Sequence, residues 1–218
     1  MKCIIIKTNK FTVYFLQYNA LRVHWSPETT FDAITLLIRN EDNRKQTLMT
    51  AEIQAGNGIS VKSGANKPIM VIRTPNHDPL SLGKLMHPAP ATLFKIMKQI
   101  TPVGYNYLVL RSPSKEPVMK IEKVVASLYP IGKAMGIFQC NCVYWFKRMD
   151  GTILGYIRPK LVMNSNTLVV KFTSTNTDVQ TRAAILGVAL LFAITEAYPQ
   201  LRSMLDESMK LRPQLSIK

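Results

Sequence analysis

Acidic residues are scarce in this chain: 13 Asp and Glu stand against 28 Lys and Arg in 218 residues, which leaves a formal charge of +15. Such an imbalance points to an anionic partner, a nucleic acid or an acidic membrane face, and carries no information about fold. Cysteine is also rare. Cys3, Cys140 and Cys142 make an odd number, the Cys140-x-Cys142 spacing cannot bridge without strain, and no Asn-x-Ser/Thr acceptor occurs, so a reducing, cytoplasmic compartment is expected. His24, His77 and His87 are scattered and no second cysteine pair exists, so the ligand spacing of a metal site is missing. Only Ile4-Ile5-Ile6 precedes Lys7, too short an apolar run for a secretory signal, and no export is expected. There is no serine nucleophile elbow, no phosphate-cradling glycine loop and no carboxylate pair at a catalytic spacing, which argues against covalent chemistry and leaves no catalytic residue to name.

What the chain does have is a globular composition, 47% hydrophobic and 19% charged, and a recurring pattern. Four times an apolar strand ending in a basic residue is followed by a polar turn and a second apolar strand. The copies are Thr35 to Arg39 with Thr47 to Met49, Ile69 to Arg73 with Leu80 to Gly83, Tyr107 to Arg111 with Val118 to Ile121, and Tyr144 to Arg148 with Ile153 to Tyr156. Each reads as a β-hairpin, and Asp150-Gly151 is the strongest of the turn signals. The regular spacing of Arg39, Arg73, Arg111 and Arg148 predicts a meandering sheet that closes into a barrel or a sandwich. The stretch from Pro90 to Gln99 reads equally as a short helix or as a strand.

From Ala183 to Ile194 the chain is uncharged, with Asp178 and Thr181 near its start and Pro199 as its stop. It reads as a helix apolar on every side, belonging either in a core or in lipid. The 13 uncharged residues from Ala183 to Thr195 fall short of the ~20 needed to cross a bilayer. The expectation is therefore a helix buried inside the barrel, with Ala183, Leu186, Gly187, Leu190, Leu191 and Ile194 as its core-facing or, alternatively, membrane-inserting residues.

The order of these parts resembles the phospholipid scramblase family and its relatives with the tubby-like fold. The carrying residues are Asp178-Val179-Gln180-Thr181-Arg182-Ala183-Ala184-Ile185-Leu186-Gly187 and the apolar run that follows, Ile38-Arg39-Asn40 with Met49-Thr50-Ala51-Glu52, and Lys67-Pro68-Ile69-Met70-Val71-Ile72-Arg73. The resemblance implies a mainly β protein, a closed antiparallel β-barrel of about 12 strands around a central hydrophobic C-terminal α-helix. It divides the chain into a lead-in at 1–34, a barrel at 35–199 with its helix at 182–196, and a tail at 200–218. It also implies a peripheral or single-pass association with the inner face of a membrane. Cys140 and Cys142 fall near a cysteine-containing stretch of the family, which makes them candidates for palmitoylation; the alternative reading is two small buried or rim cysteines in a strand. The family's acid-rich calcium loop has no counterpart: between Asn164 and Asp178 the only carboxylate is Asp178 itself, and calcium wants several. No cofactor is expected.

The excess of cations has a location. Residues 61 to 135 hold 11 Lys and Arg against Asp78, Glu116 and Glu122, a balance of +8. Arg73, Lys84, Arg111, Lys147 and Arg158 are the candidate headgroup ligands, expected to project from strand ends on one side as a cationic rim for phosphoinositide or phosphatidylserine headgroups. Three functions follow from these readings: a scramblase-like protein that binds anionic phospholipids and moves them across the bilayer, a soluble adaptor that only binds headgroups, and a nucleic-acid-binding protein.

Overall fold

The computed structural model describes residues 20–25, 33–40, 46–54, 58–74, 78–89, 91–102, 104–124, 129–135, 142–160, 167–173, 177–201 and 203. Twelve antiparallel strands close into a barrel, each hydrogen-bonded to its sequence neighbours, with the first joined to the last. They are β1 (Ala20–Trp25), β2 (Ala33–Asn40), β3 (Thr47–Gln54), β4 (Gly58–Ser63), β5 (Pro68–Arg73), β6 (Ser81–Met86), β7 (Thr92–Thr101), β8 (Gly104–Arg111), β9 (Pro117–Lys123), β10 (Tyr144–Lys147), β11 (Ile153–Pro159) and β12 (Thr167–Phe172). A one-and-a-half-turn helix, α1 (Tyr129–Ala134), lies in the connection between β9 and β10. The apolar helix α2 (Val179–Phe192) fills the barrel and runs on into a π-helical turn, Ala193–Ala197.

Alternation builds the wall. In β4 Ile59 and Val61 are buried while Gly58 and Ser60 are not, and in β9 Met119 and Ile121 are buried between more exposed neighbours. Side chains of a strand point alternately to its two faces, so each strand gives one apolar row to the interior. The stretch left open at Pro90 to Gln99 is strand β7: Phe94 and Ile96 are buried with Lys95 between them, a two-residue period that no helix supports.

Two boundaries differ from those expected. Strand β1 falls inside the supposed lead-in at 1–34, where it pairs with both β2 and β12 (Leu21 with Asn40 and with Val170). Leu21 and Val23 are buried in its inward row, and a six-residue strand is too short an alternation to stand out in the sequence. The helix, expected at 182–196, runs from Val179 to Ala197. Its start is fixed by Asp178, whose Oδ1 accepts from the Thr181 N–H (2.9 Å) and whose Oδ2 accepts from the Thr181 hydroxyl (2.6 Å), a capping bond of the usual kind.

Every residue from Arg182 to Phe192 is buried, as a helix apolar all round requires when strands surround it. It comes closest to β6. A Cβ added at Gly187 would lie 2.6 Å from Leu85 Cδ2, and one added at Gly83 would lie 3.1 Å from Leu191 Cδ1, so a glycine on each partner makes the approach. The Arg182 guanidinium lies 5.0 Å from the centre of the Phe172 ring, and burial lowers its pKa from the ordinary value.

Because α2 follows β12 and β12 runs from Thr167 to Phe172, the helix enters where β12 finishes. The barrel therefore has an entry end and an exit end. Even-numbered strands finish at the entry end and odd-numbered strands at the exit end, since neighbours are antiparallel all the way round.

Candidate functional site

This alternation separates the five predicted cations. Arg73 closes β5 and Arg158 stands near the close of β11, both towards the exit end. Arg111 closes β8 and Lys147 closes β10, both at the entry end, and Lys84 lies within β6. A single rim of all five does not form. The reason is a count of strands: β8, which carries Arg111, is three strands on from β5, which carries Arg73, and an odd step reverses direction.

Two of the five are nevertheless side by side. Arg73 pairs directly with Lys84, and Lys84 pairs directly with Lys95 of β7. All three alternate with buried Ile72, Leu85 and Phe94, so they stand on the outer face as one row across three strands. Side chains opposite one another in such pairs have Cβ atoms about 5 Å apart, and like charges in this position destabilise a sheet. Arg73 and Lys84 are exposed. Lys95 has an ion pair with Asp78, Nζ to Oδ2 3.4 Å, across surface that leaves both partners accessible. Sequence reading missed Lys95 because its segment was ambiguous between helix and strand; the two-residue period of Phe94 and Ile96 is the signal that would have found it.

Lys147 and Arg158 have partners nearby. Lys147 Nζ lies 2.5 Å from Glu122 Oε2, and Lys120 Nζ lies 2.6 Å from Glu122 Oε1. Hydrogen bonds from Lys120 and then Lys147 hold the Glu122 carboxyl below its usual range. Arg158 is half-buried and donates from Nη1 to the Pro159 carbonyl (3.3 Å). Arg111 is exposed at the entry end. Cys142 is buried; Cys140 lies outside the described residues. The six named helix residues, Ala183, Leu186, Gly187, Leu190, Leu191 and Ile194, are all buried within the barrel.

The exit end carries a second cluster, one that no local sequence pattern reveals. Glu196, in the π turn, accepts hydrogen bonds from the hydroxyls of Tyr107 (2.7 Å) and Tyr144, and Lys123 Nζ lies 3.7 Å from its Oε2. The Tyr144 ring stacks on Phe192 with centroids 4.3 Å apart, and Tyr107 meets Tyr144 edge to face at 6.0 Å. Burial first, then the adjacent Glu196 carboxylate, pushes both phenols well above their ordinary value, so they remain donors at any physiological pH. The partners are 89 and 52 residues from Glu196, beyond the reach of any local pattern. The wider π turn shifts the register of the side chains that follow it, and here Glu196 meets the two strands. Its chemistry is that of a clasp that fastens the end of the helix to β8 and β10.

Among the described residues, no three His, Cys, Asp or Glu side chains come together as a metal-binding group. The Asp178 carboxylate is engaged in capping α2.

No family model matches the chain and no curated protein matches it. A solved structure of an Arabidopsis thaliana protein is similar with a TM-score of 0.48 and 10% identity, over 78% of this chain and 89% of that one.

Proposed function

We propose that the protein binds the headgroups of anionic phospholipids at a cytoplasmic membrane face, through the outer row Arg73, Lys84 and Lys95, and that it does so without moving lipid across the bilayer. The observation that carries this reading is the row itself. Three cations set abreast on neighbouring strands repel one another, and among the described residues only Lys95 has an acidic partner. A surface bearing several phosphates relieves that repulsion. Each Lys or Arg close to an anionic leaflet contributes about 1 kcal/mol, so the row and the cations around it suffice for reversible docking.

Transport meets a physical obstacle. A headgroup needs a solvated route through hydrocarbon, and α2 occupies the inside of the barrel. The expectation that this helix is too short to cross a bilayer does not hold: with its π turn it runs 19 residues, Val179 to Ala197, enough to cross by length and composition alone, but it is mostly buried inside the barrel.

Co-sedimentation with vesicles tests the reading. Vesicles of phosphatidylcholine with phosphatidylserine should retain the protein, pure phosphatidylcholine should not, and retention should fall as salt shortens the screening length from about 10 Å at 0.1 M to about 3 Å at 1 M. Equal retention on both vesicles would refute it. So would a single-stranded RNA that displaces the protein from the anionic vesicles at matched salt, which would favour the nucleic-acid reading. A labelled lipid in the same vesicles reports transbilayer exchange, and acceleration of that exchange would overturn the exclusion of transport.

A further inference from the structure

Exposed apolar side chains occur at both ends of the barrel: Leu93, Met149 and Ile153, 37%, 50% and 39% exposed, stand at the entry end, and the larger set lies at the exit end, beside the cationic row. Ile100 is 73% exposed and Tyr105 50% exposed, facing one another across the tip of the β7–β8 hairpin, and Leu80, 47% exposed, stands in the β5–β6 connection beside them. All three lie at the exit end. They are held together by the backbone: the Lys98 N–H donates to the Leu80 carbonyl (2.6 Å), and Lys98 Nζ lies 5.8 Å from the centre of the Tyr105 ring. The β9–β10 connection leaves and returns at the same end and adds Ile131 and Met135, 56% and 70% exposed. The tips are tied to the row as well, since Asp78, the partner of Lys95, also accepts from the Leu80 N–H (3.1 Å).

We infer that the exit end is the membrane-inserting end of the barrel: Leu80, Ile100 and Tyr105 enter the interfacial layer of an anionic leaflet while Arg73, Lys84 and Lys95 meet its phosphates. The inference rests on the headgroup binding proposed above and adds a depth and an orientation to it. The occupant is a lipid surface because cations border the apolar tips on the β5–β7 side. An aromatic ring with a polar tip suits the headgroup level, aliphatic side chains the layer beneath it, and cations the phosphates above. Insertion sets the barrel on its exit end and brings the Glu196 clasp close to the bilayer surface.

The full chain tests this in two ways. Ile100→Ser with Tyr105→Ser should weaken binding to phosphatidylserine-containing vesicles by about tenfold or more, from the apolar surface no longer buried, while the thermal unfolding midpoint stays unchanged because both side chains are exposed. In a second measurement, Ile100→Cys in a Cys3→Ser, Cys140→Ser chain carries an environment-sensitive fluorophore, and vesicles with brominated acyl chains should quench it on binding. Wild-type affinity in the double variant, or a bound but unquenched fluorophore, overturns the insertion and leaves headgroup binding standing. Failure of the wild-type chain to bind anionic vesicles at all overturns both.

Discussion

Lys84 is the residue whose replacement separates stability from function. It stands between Arg73 and Lys95 in direct cross-strand register, so Lys84→Gln removes two repulsions and should stabilise the fold by a few tenths of a kcal/mol, up to about 1. The same change should weaken binding to anionic vesicles by about fivefold, since one cation near the leaflet is worth about 1 kcal/mol. Chemical denaturation and co-sedimentation on one preparation check both signs; a loss of stability would mean that Lys84 has a structural partner. Gly187 tests packing. A methyl group there meets buried Leu85 at 2.6 Å, and overpacking of about 1–3 kcal/mol outweighs the roughly 1 kcal/mol that alanine gains over glycine in a helix. Gly187→Ala should therefore destabilise, and adding Leu85→Ala should cost less than the sum of the two single changes; strict additivity in denaturation would show that they do not meet. At this scale the sequence was partly readable. Arg73 and Lys84 stood out as cations in a basic segment, but their adjacency depends on register, and register is set by pairing between strands rather than by either strand alone.

The elements whose identity was plain are those with a period of their own: the four hairpins and the apolar helix. Strand β1 was not, because six residues make too short an alternation, and β7 was ambiguous because Leu93, Ile96 and Met97 also fit a helical face until Phe94 is seen buried between them. The clasp at the end of α2 lay out of reach for a different reason, being assembled from three elements far apart in the chain. Its contribution can be measured through pH. The ordinary phenol value is 10.0, and both Tyr107 and Tyr144 are raised above it in the folded state. The neutral phenols therefore favour folding in full below pH 10, and that stability is lost as pH rises above 10, where the unfolded chain ionises first. Tyr144→Phe should cost about 1 kcal/mol near neutrality, by leaving Glu196 with one donor fewer, and should flatten the decline above pH 10. Urea denaturation on either side of pH 10 reads both effects; an unchanged alkaline decline would remove Tyr144 from the account.

For the whole molecule, the family resemblance foretold a closed barrel around a helix, and the architecture matches that expectation. The N-terminal boundary did not follow, and the difference can be tested. A chain that begins at residue 33 lacks β1 but keeps all of β2, and leaves β2 and β12 with unpaired edges facing one another, a template for aggregation. It should fail to unfold cooperatively, whereas a chain beginning at residue 20 keeps the strand and serves as the control; a soluble, cooperative protein from residue 33 would make β1 dispensable. The β1–β12 seam also constrains how the chain is made. Leu21 meets Val170, so the ring cannot close until nearly all of it has been synthesised, and α2, which gives the strands something to close around, follows all twelve of them. On the ribosome the strands emerge first, with Ile38, Val61, Ile96 and Ile121 facing an empty interior. Contacts so distant in sequence form slowly, and an open apolar sheet awaiting its filler is prone to aggregate. The half-made chain is thus a concave hydrophobic surface whose natural occupant has yet to be translated, and it stays open to the solvent until α2 appears.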